Sequence, residues 1–365
     1  MTDATDIATH SLRIAGMHKS APVQMPVRVR MPIPVPDGAN SATTVWQRIA
    51  GRMARPMLAA AALAFAGPTV AEEPLRLRIG QEDRTYVSIG TAATAAPAKA
   101  AVIVLHGGGG SAAQVRGSFG MDEIAAREGL IVAYPDGIAR SWNDGRAELN
   151  VPRRGKAPAD DVAFISELAK RLARDVPGGR VFVTGISNGG MLTYRLACET
   201  ESIFAGFAAV IANLSVDLAA TCSPRQPRHL LIMNGTADRL MPWDGGKVTV
   251  LGWSRGTVLP ALDTFMRWRD WNRCSGVAQA DVLVDREPAD GSRVEIIRAT
   301  GCPAGGETVL YRIKGGGHQV PRRTPKPLPL LDRYLGATNR DIDAADEIWR
   351  FFASSAPGVN QGRRQ

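Results

Sequence analysis

The segment at residues 181–191 constrains the fold of this chain more than any other stretch. Four β-forming residues run into Gly-Ile-Ser-Asn-Gly, a Gly-x-Ser-x-Gly pentapeptide, and a helix-compatible stretch begins at Met191. A strand, one sharp turn with a serine at its tip and a following helix together form a nucleophile elbow. Gly185 and Gly189 favour this turn because a Cβ would obstruct the close passage of the backbone on either side of it. Ser187 is therefore the candidate nucleophile.

The composition is that of an ordinary globular protein, with 45% hydrophobic and 22% charged residues among 365. The formal net charge is +9, and the local basic runs lie at 322–326 and at the terminal Arg363 and Arg364. A nucleic-acid site would need basic residues clustered on one face. We therefore expect no nucleic-acid partner.

The first 71 residues are typical of a leader that carries a targeting segment. Arginines precede a short apolar run at 56–66, and small residues then lead to the acidic Glu72. This order indicates a secretory signal peptide cleaved after Ala71, which would be compact if translation began at Met53. The alternative is a disordered leader. The apolar run is too short to span a bilayer, so we expect a periplasmic or extracellular protein without a stable membrane anchor.

The chain contains four cysteines, and export would place them in an oxidising compartment. An even number of cysteines there predicts two disulfides, with three possible connectivities. Their spacing does not resemble paired zinc ligands, and we expect no metal site. The four residues are Cys198, Cys222, Cys274 and Cys302.

Predicted strands and helices alternate from Arg84 onward. Ala101–Leu105 is a continuous apolar run, which is typical of a strand buried on both faces of a parallel sheet. Further strands are predicted at 130–134, 180–184, 207–212, 229–233 and 308–313, and helices at 119–128, 159–174, 191–198, 259–272 and 341–352. This alternation predicts an α/β-hydrolase fold, with helices on both faces of a mostly parallel central sheet, in one domain spanning 72–365.

An α/β-hydrolase carries its catalytic residues in the chain order serine, acid, histidine. Of five histidines, only His318 follows the serine and lies in a loop, directly after the predicted strand at 308–313. It would accept the Ser187 proton and return it to the leaving alcohol. Asp238 lies just beyond the strand at 229–233 and would orient His318. Asp244 is a rival for that role.

The oxyanion hole should combine the amide that follows the nucleophile with an amide from the loop after an early strand. Asn188 supplies the first. The four glycines at 107–110 follow Ala101–Leu105 and supply the second, with Gly108 preferred and Gly107 in reserve. No phosphate-binding glycine motif is present here, so a nucleotide site is not indicated.

Eight short motifs between residues 84 and 352 resemble one enzyme family. They are His-Gly-Gly-Gly at 106–109, Tyr-Pro-Asp-Gly at 134–137, Ser-Trp-Asn-Asp-Gly at 141–145, Asp-Asp-Val-Ala-Phe-Ile at 160–165, the elbow at 180–191, Tyr-Arg-Leu-Ala-Cys at 194–198, Asn-Gly-Thr-Ala-Asp at 234–238 and Gly-Gly-Gly-His at 315–318. Together they resemble the poly(3-hydroxybutyrate) depolymerase family of α/β-hydrolase esterases, which includes feruloyl-esterase-like enzymes.

The resemblance implies roles for particular residues. Ser187, Asp238 and His318 would form the catalytic triad, and Trp142 and Asn143 would lie near the substrate cleft. The resemblance also implies the disulfides Cys198–Cys222 and Cys274–Cys302. Asp161, in the fourth motif, is expected to cap a helix.

Two departures from the family leave the substrate open. The family commonly has Trp-Pro-Gly one residue after the catalytic histidine, whereas Val320-Pro321-Arg322 stands here. We also expect no separate polymer-binding module, so the family name does not define the substrate.

We predict an exported serine esterase that forms an acyl-enzyme on Ser187 and needs no cofactor. Its substrate would be a small or polymer-derived ester: a hydroxyalkanoate oligomer, or a feruloyl or acetyl ester. The alternatives are a peptidase of the same fold and a non-catalytic binding module. We expect a monomer.

Overall fold

The computed structural model describes residues 73–90, 97–147, 158–325 and 333–355. The chain divides into two compact units, and all of these residues belong to the second unit, Pro68–Gln365. The predicted signal peptide, its cleavage after Ala71 and the alternative start at Met53 lie outside the described residues.

Thirteen strands form in the described part of the chain. In order they are β1 (Leu75–Ile79), β2 (Glu82–Ile89), β3 (Ala101–Leu105), β4 (Ile131–Pro135), β5 (Val181–Ile186), β6 (Gly206–Val210), β7 (Leu230–Gly235), β8 (Gly246–Val250), β9 (Trp253–Val258), β10 (Gly276–Val277), β11 (Asp281–Val282), β12 (Arg293–Thr300) and β13 (Thr308–Lys314).

One large sheet has the strand order β1-β2-β4-β3-β5-β6-β7-β13-β12-β10, with β11 paired to β12. The six strands from β4 to β13 in this order are parallel, and the strands outside them pair antiparallel. Every residue of β3, β4, β6 and β7 is buried. Continuous apolar runs form these strands because both faces of the sheet are covered by helices.

The helices with regular α geometry are α1 (Ala112–Phe119), α2 (Met121–Glu128), α3 (Asp161–Ala173), α4 (Asn188–Glu199), α5 (Val216–Thr221), α6 (Ala261–Trp271) and α7 (Ala344–Ser354). The apolar sides of α3, α4 and α6 pack on one face of the sheet, and those of α1, α2 and α7 pack on the other. This two-sided arrangement confirms the predicted fold class. Among the described residues, no helix has the length and hydropathy needed to cross a membrane.

The sequence analysis located α2, missed α1 and assigned the cap of α3 to the wrong residue. The helix expected at 119–128 is α2, which begins at Met121, and the unpredicted α1 precedes it. The two helices meet at Gly120, which has a left-handed conformation with φ 88°. Asp161 does not cap α3. Asp160 caps it by accepting a hydrogen bond from the Ala163 amide at 2.9 Å, while Asp161 is buried one position further on.

The sequence patterns also missed the antiparallel strands. β1 and the hairpin β8–β9 are mostly exposed and carry no continuous apolar run. Their pairing depends on strand partners, which a local hydrophobic pattern does not reveal.

Two disulfides join neighbouring segments. Cys198 near the end of α4 pairs with Cys222 directly after α5, and Cys274 after α6 pairs with Cys302 after β12. Of the three connectivities that the sequence allows, this is the one implied by the family resemblance.

Candidate active site

Ser187 lies at the tip of a sharp turn between β5 and α4. Its backbone has φ 53° and ψ −117°, a conformation that a residue with a Cβ rarely adopts. The turn brings backbones into close approach, since a Cβ on Gly189 would lie 2.5 Å from the His106 carbonyl oxygen. A Cβ on Gly185 would lie 2.4 Å from the Gly189 carbonyl oxygen. The two outer glycines of the pentapeptide are therefore sterically required.

Asp238 and His318 meet at the carboxyl ends of two adjacent parallel strands. Asp238 follows β7, His318 follows β13, and β7 pairs with β13. The His318 Nδ1 lies 2.7 Å from Asp238 Oδ2, and both side chains are buried. Asp238 Oδ1 also accepts the amides of Leu240 and Met241 at 2.8 Å. These bonds fix the carboxylate and leave Nε2 as the ring nitrogen that can face a substrate or nucleophile.

Asp244, the rival acid, lies further along the same loop with its side chain exposed. Its carboxylate makes no hydrogen bond to His318, whose Nδ1 is occupied by Asp238. The structure thus brings Asp238 to the histidine and leaves Asp244 in solvent.

The histidine loop is held against a second segment. The His318 amide donates to the Leu335 carbonyl at 2.6 Å, and the Gly317 amide donates to the Ala337 carbonyl at 2.8 Å. These bonds hold the histidine loop against the segment at 335–337.

Ser187 and His318 line one cleft with a volume of about 1370 Å³. Gly107, Gly108 and Asn188 line it as well. The cleft therefore brings together the candidate nucleophile, base and oxyanion donors, which the sequence places on three strand ends.

The glycine loop at residues 107–110 leaves the amides of Gly107 and Gly108 without an acceptor among the described residues. The Gly110 amide donates to the Gly107 carbonyl at 2.9 Å, and the Gly109 amide donates to the Arg140 carbonyl at 2.7 Å. In the part of the chain that the structure describes, the amides of Gly108 and Asn188 have no protein acceptor. Gly108 also lies beside Asn188, since a Cβ on it would be 3.6 Å from the Asn188 Cβ. Gly108 and Asn188 therefore remain the candidate oxyanion donors.

His106 supports the glycine loop from behind. Its Nδ1 lies 2.8 Å from the Gly107 carbonyl oxygen, and its Nε2 accepts the Gly137 amide at 3.0 Å. One nitrogen therefore donates and the other accepts, which fits a neutral ring. Burial lowers the pKa of His106 below its ordinary value, in agreement with this neutral form.

A buried polar network holds Asn188 in place. Its side-chain oxygen accepts the Trp142 amide at 2.8 Å, and its side-chain nitrogen donates to Asp144 Oδ2 at 2.6 Å. Asp144 also forms a bidentate ion pair with Arg146, with Nη2 and Oδ2 2.6 Å apart, and both side chains are buried. The sequence analysis missed Asp144 and Arg146, although Asp144 lies in a motif that it recognised.

Trp142 and Asn143, expected near the substrate cleft, belong to the segment between β4 and α3. Trp142 is 1% exposed, and its indole nitrogen donates to the His106 carbonyl at 2.8 Å. The Asn143 side chain donates to the Ala159 carbonyl at 3.0 Å. Neither residue lines the cleft, whereas their neighbour Ser141 does. Their side chains bond to the glycine loop and to the segment before α3, and their place near the substrate stays a prediction.

Asp161 anchors this segment to the sheet. Its carboxylate pairs with Arg84 of β2 at 2.6 Å and accepts the Asn143 amide at 2.7 Å. Burial raises the pKa of Asp161 and is its largest influence, while the positive charge of Arg84 acts in the opposite direction. The role of this residue is thus to tie the segment after β4 to the sheet.

The fold and the site together define the class of the protein. The sheet is mostly parallel with an antiparallel β2, and the elbow serine follows β5. An acid follows β7 and a histidine follows β13. These features make the chain an α/β-hydrolase.

Comparisons with known proteins show which α/β-hydrolases this chain resembles. No family model matches the chain. "Putative esterase NocK" of Nocardia uniformis subsp. tsuyamanensis is 29% identical over 265 residues, which are 67% of this chain and 71% of that protein. "Feruloyl esterase B" of Piromyces equi is 26% identical over 217 residues, covering 57% of this chain but only 37% of the relative. The motifs predicted a resemblance to esterases that include feruloyl-esterase-like enzymes. These relatives confirm the feruloyl-esterase-like part of that resemblance.

Solved structures also align with the chain. The acetyl xylan esterase from Aspergillus awamori aligns over 74% of this chain and 94% of its own, with 14% sequence identity and a TM-score of 0.47.

Proposed function

We propose that this protein is a carboxylic ester hydrolase that forms an acyl-enzyme on Ser187. One observation carries the proposal: the hydrogen-bonded pair of Asp238 and His318 opens onto the same cleft as the serine of a strained elbow. Strain of this kind persists where the surrounding structure enforces it, and it is concentrated at functional sites.

The residues suggest a two-stage reaction. His318 takes the Ser187 proton as the oxygen attacks the ester carbonyl, and Asp238 stabilises the imidazolium that results. The amides of Gly108 and Asn188 stabilise the negative charge that develops on the carbonyl oxygen. His318 then returns its proton to the departing alcohol. Water repeats the same steps on the acyl-enzyme and releases the acid.

The relatives support a carboxylic ester as the substrate, since their names are those of esterases. Feruloyl esters come first among the candidate substrates, because several of these relatives are named feruloyl esterases. Acetyl esters and hydroxyalkanoate oligomers are the further candidates. Export of the protein is part of the proposal, and the two disulfides support it, since disulfides form and persist in oxidising compartments.

The test is turnover of p-nitrophenyl acetate, p-nitrophenyl butyrate, methyl ferulate and a peptide amide by wild type and Ser187→Ala. We expect ester turnover by wild type and a loss of about 10⁴-fold or more in kcat for the variant. Ser118→Ala is the matched control, because Ser118 lines the same cleft and its hydroxyl only donates to carbonyls of its own helix.

A second pair of variants tests the acid. Asp238→Asn should lower kcat by about 10⁴-fold, because the amide favours the wrong tautomer of His318. Asp244→Asn should leave kcat unchanged. Ester turnover that survives in Ser187→Ala would refute the proposed nucleophile, and turnover of the amide alone would favour a peptidase.

A further inference from the structure

Positive charge dominates the lining of the cleft. Asp290 is the only carboxylate among the described lining residues, and its oxygens accept hydrogen bonds from Ser292 and from the Arg340 amide. The arginines of the lining are Arg140, Arg146, Arg255, Arg322, Arg333 and Arg340.

Two of these arginines have carboxylate partners. Arg146 is buried and paired with Asp144. Arg322 donates to Glu123 Oε1 at 3.2 Å and to the Ser118 carbonyl at 3.0 Å. Arg146 and Arg322 therefore have a structural role in the cleft wall.

The other four arginines form no ion pair with any described carboxylate. Arg255 makes no side-chain hydrogen bond to another described residue, and Arg340 makes only a long one of 3.5 Å to the Arg323 carbonyl. Arg140 donates to the Gly110 carbonyl at 3.2 Å and to Gln114 at 2.8 Å, and its own carbonyl accepts the Gly109 amide. Arg140 is thereby held beside the glycine loop.

These side chains come from separate parts of the chain: the segment after β4, strand β9 and the segment before α7. Like charges that line one cleft repel one another, and an anion bound in the cleft would reduce that repulsion. The guanidinium group offers a planar fork of donors that matches a carboxylate and stays charged at every relevant pH. The arrangement is thus suited to an anion bound in the cleft.

We propose that the cleft selects esters that carry a carboxylate group outside the bond that is cleaved, and that Arg255 and Arg340 bind this group. The inference rests on the proposed ester hydrolase function and adds the charge of its substrate. Buried apolar residues such as Met241 and Val248 line the cleft as well, so the remainder of such a substrate would be apolar.

Two matched pairs of esters test the charge. Phenyl acetate and m-acetoxybenzoate differ by a carboxylate on the leaving group, whereas p-nitrophenyl hexanoate and mono-p-nitrophenyl adipate differ by one at the end of the acyl chain. Each kcat/KM is divided by the rate of hydroxide-catalysed hydrolysis of the same ester. We expect the charged member of at least one pair to be favoured, and sodium chloride to reduce its advantage by screening.

Arg255→Gln and Arg340→Gln should each lower kcat/KM for the favoured anionic ester by about threefold to tenfold, with the neutral ester unchanged. Arg171→Gln is the matched control, since Arg171 is exposed on α3 and does not line the cleft. An equal normalised kcat/KM within both pairs, or an advantage that both cleft variants retain, would overturn the inference.

Calorimetric binding to Ser187→Ala separates this inference from the proposed function. The variant should bind the charged member of the favoured pair more tightly than its neutral counterpart, and Arg255→Gln in the same background should remove the difference. This readout needs no turnover. Turnover of neutral esters by wild type without any charge preference would leave the esterase proposal standing and refute the arginine assignment alone.

Discussion

At the scale of single residues, His106 shows how a group outside the proposed catalytic set supports it. It has one ring nitrogen at the carbonyl of Gly107 and the other at the amide of Gly137, so it joins the glycine loop to the turn after β4. Protonation would convert the accepting nitrogen into a donor that faces an amide. Protonation of His106 therefore weakens the contact that joins the glycine loop to this turn.

The lowered pKa of His106 predicts a dependence of stability on pH. The unfolded chain binds a proton at this residue below about pH 6.5, whereas the folded chain resists it, so unfolded chains gain protons as the pH falls. Its contribution to stability is therefore complete above about pH 6.5 and is lost as the pH falls below it. Urea denaturation at about pH 7.5 and at about pH 5 measures the change.

His106→Gln should be less stable overall and should lose less stability on acidification than wild type. Trp142→Phe is the control, because it removes a hydrogen bond to the His106 backbone without removing a titrating group. An unchanged pH dependence in His106→Gln would contradict the interpretation.

At the scale of elements, the segment from Ser141 to Arg146 is the support of the elbow. It holds Asn188 through the Trp142 amide and the Asp144 carboxylate, and it is held in turn by Asp161 and Arg195. The Asn188 backbone amide is a proposed oxyanion donor. The packing of this segment therefore bears directly on the geometry of the site.

Asp144→Asn should destabilise the fold by about 3–5 kcal/mol, because it leaves the buried Arg146 guanidinium without its counter-charge. It should also lower kcat, since the Asn188 side chain loses a charged acceptor. The free energy of unfolding from urea denaturation and the ester kcat measure the two effects.

Glu201→Gln is the matched control, because its ion pair with Arg225 is exposed, and we expect no measurable change in stability. Equal stabilities of Asp144→Asn and wild type would show that the buried pair is dispensable.

At the scale of the whole molecule, helices cover both faces of the sheet, and two disulfides join neighbouring segments of the chain. Cys198–Cys222 joins α4, which begins at the elbow, to the segment after α5. The bond spans 24 residues and limits the freedom of the unfolded chain.

The Cys198→Ser and Cys222→Ser double variant should lose about 2–4 kcal/mol of unfolding free energy, measured by urea denaturation without reductant. Wild type with reductant, which opens both disulfides, should lose more than the variant does without it. A double variant as stable as oxidised wild type would contradict this account of the bond.

The sequence predicted the parallel core of the sheet closely. The strands with continuous apolar runs were located to within a few residues, because burial on both faces imposes a pattern that is visible locally. The exposed strands β1, β8 and β9 were missed because their pairing comes from neighbours distant in sequence.

By itself, the sequence determined the strand–turn–helix around Ser187, the chain order of Ser187, Asp238 and His318, and the α/β class. These features depend on local conformational preference and on hydrophobic spacing. Only the tertiary structure decided that His318 bonds to Asp238 and not to Asp244, that Trp142 is buried, and that four arginines without a carboxylate partner among the described residues line the cleft. Each of these contacts joins segments distant in sequence, and their meeting depends on how the helices and loops pack on the sheet.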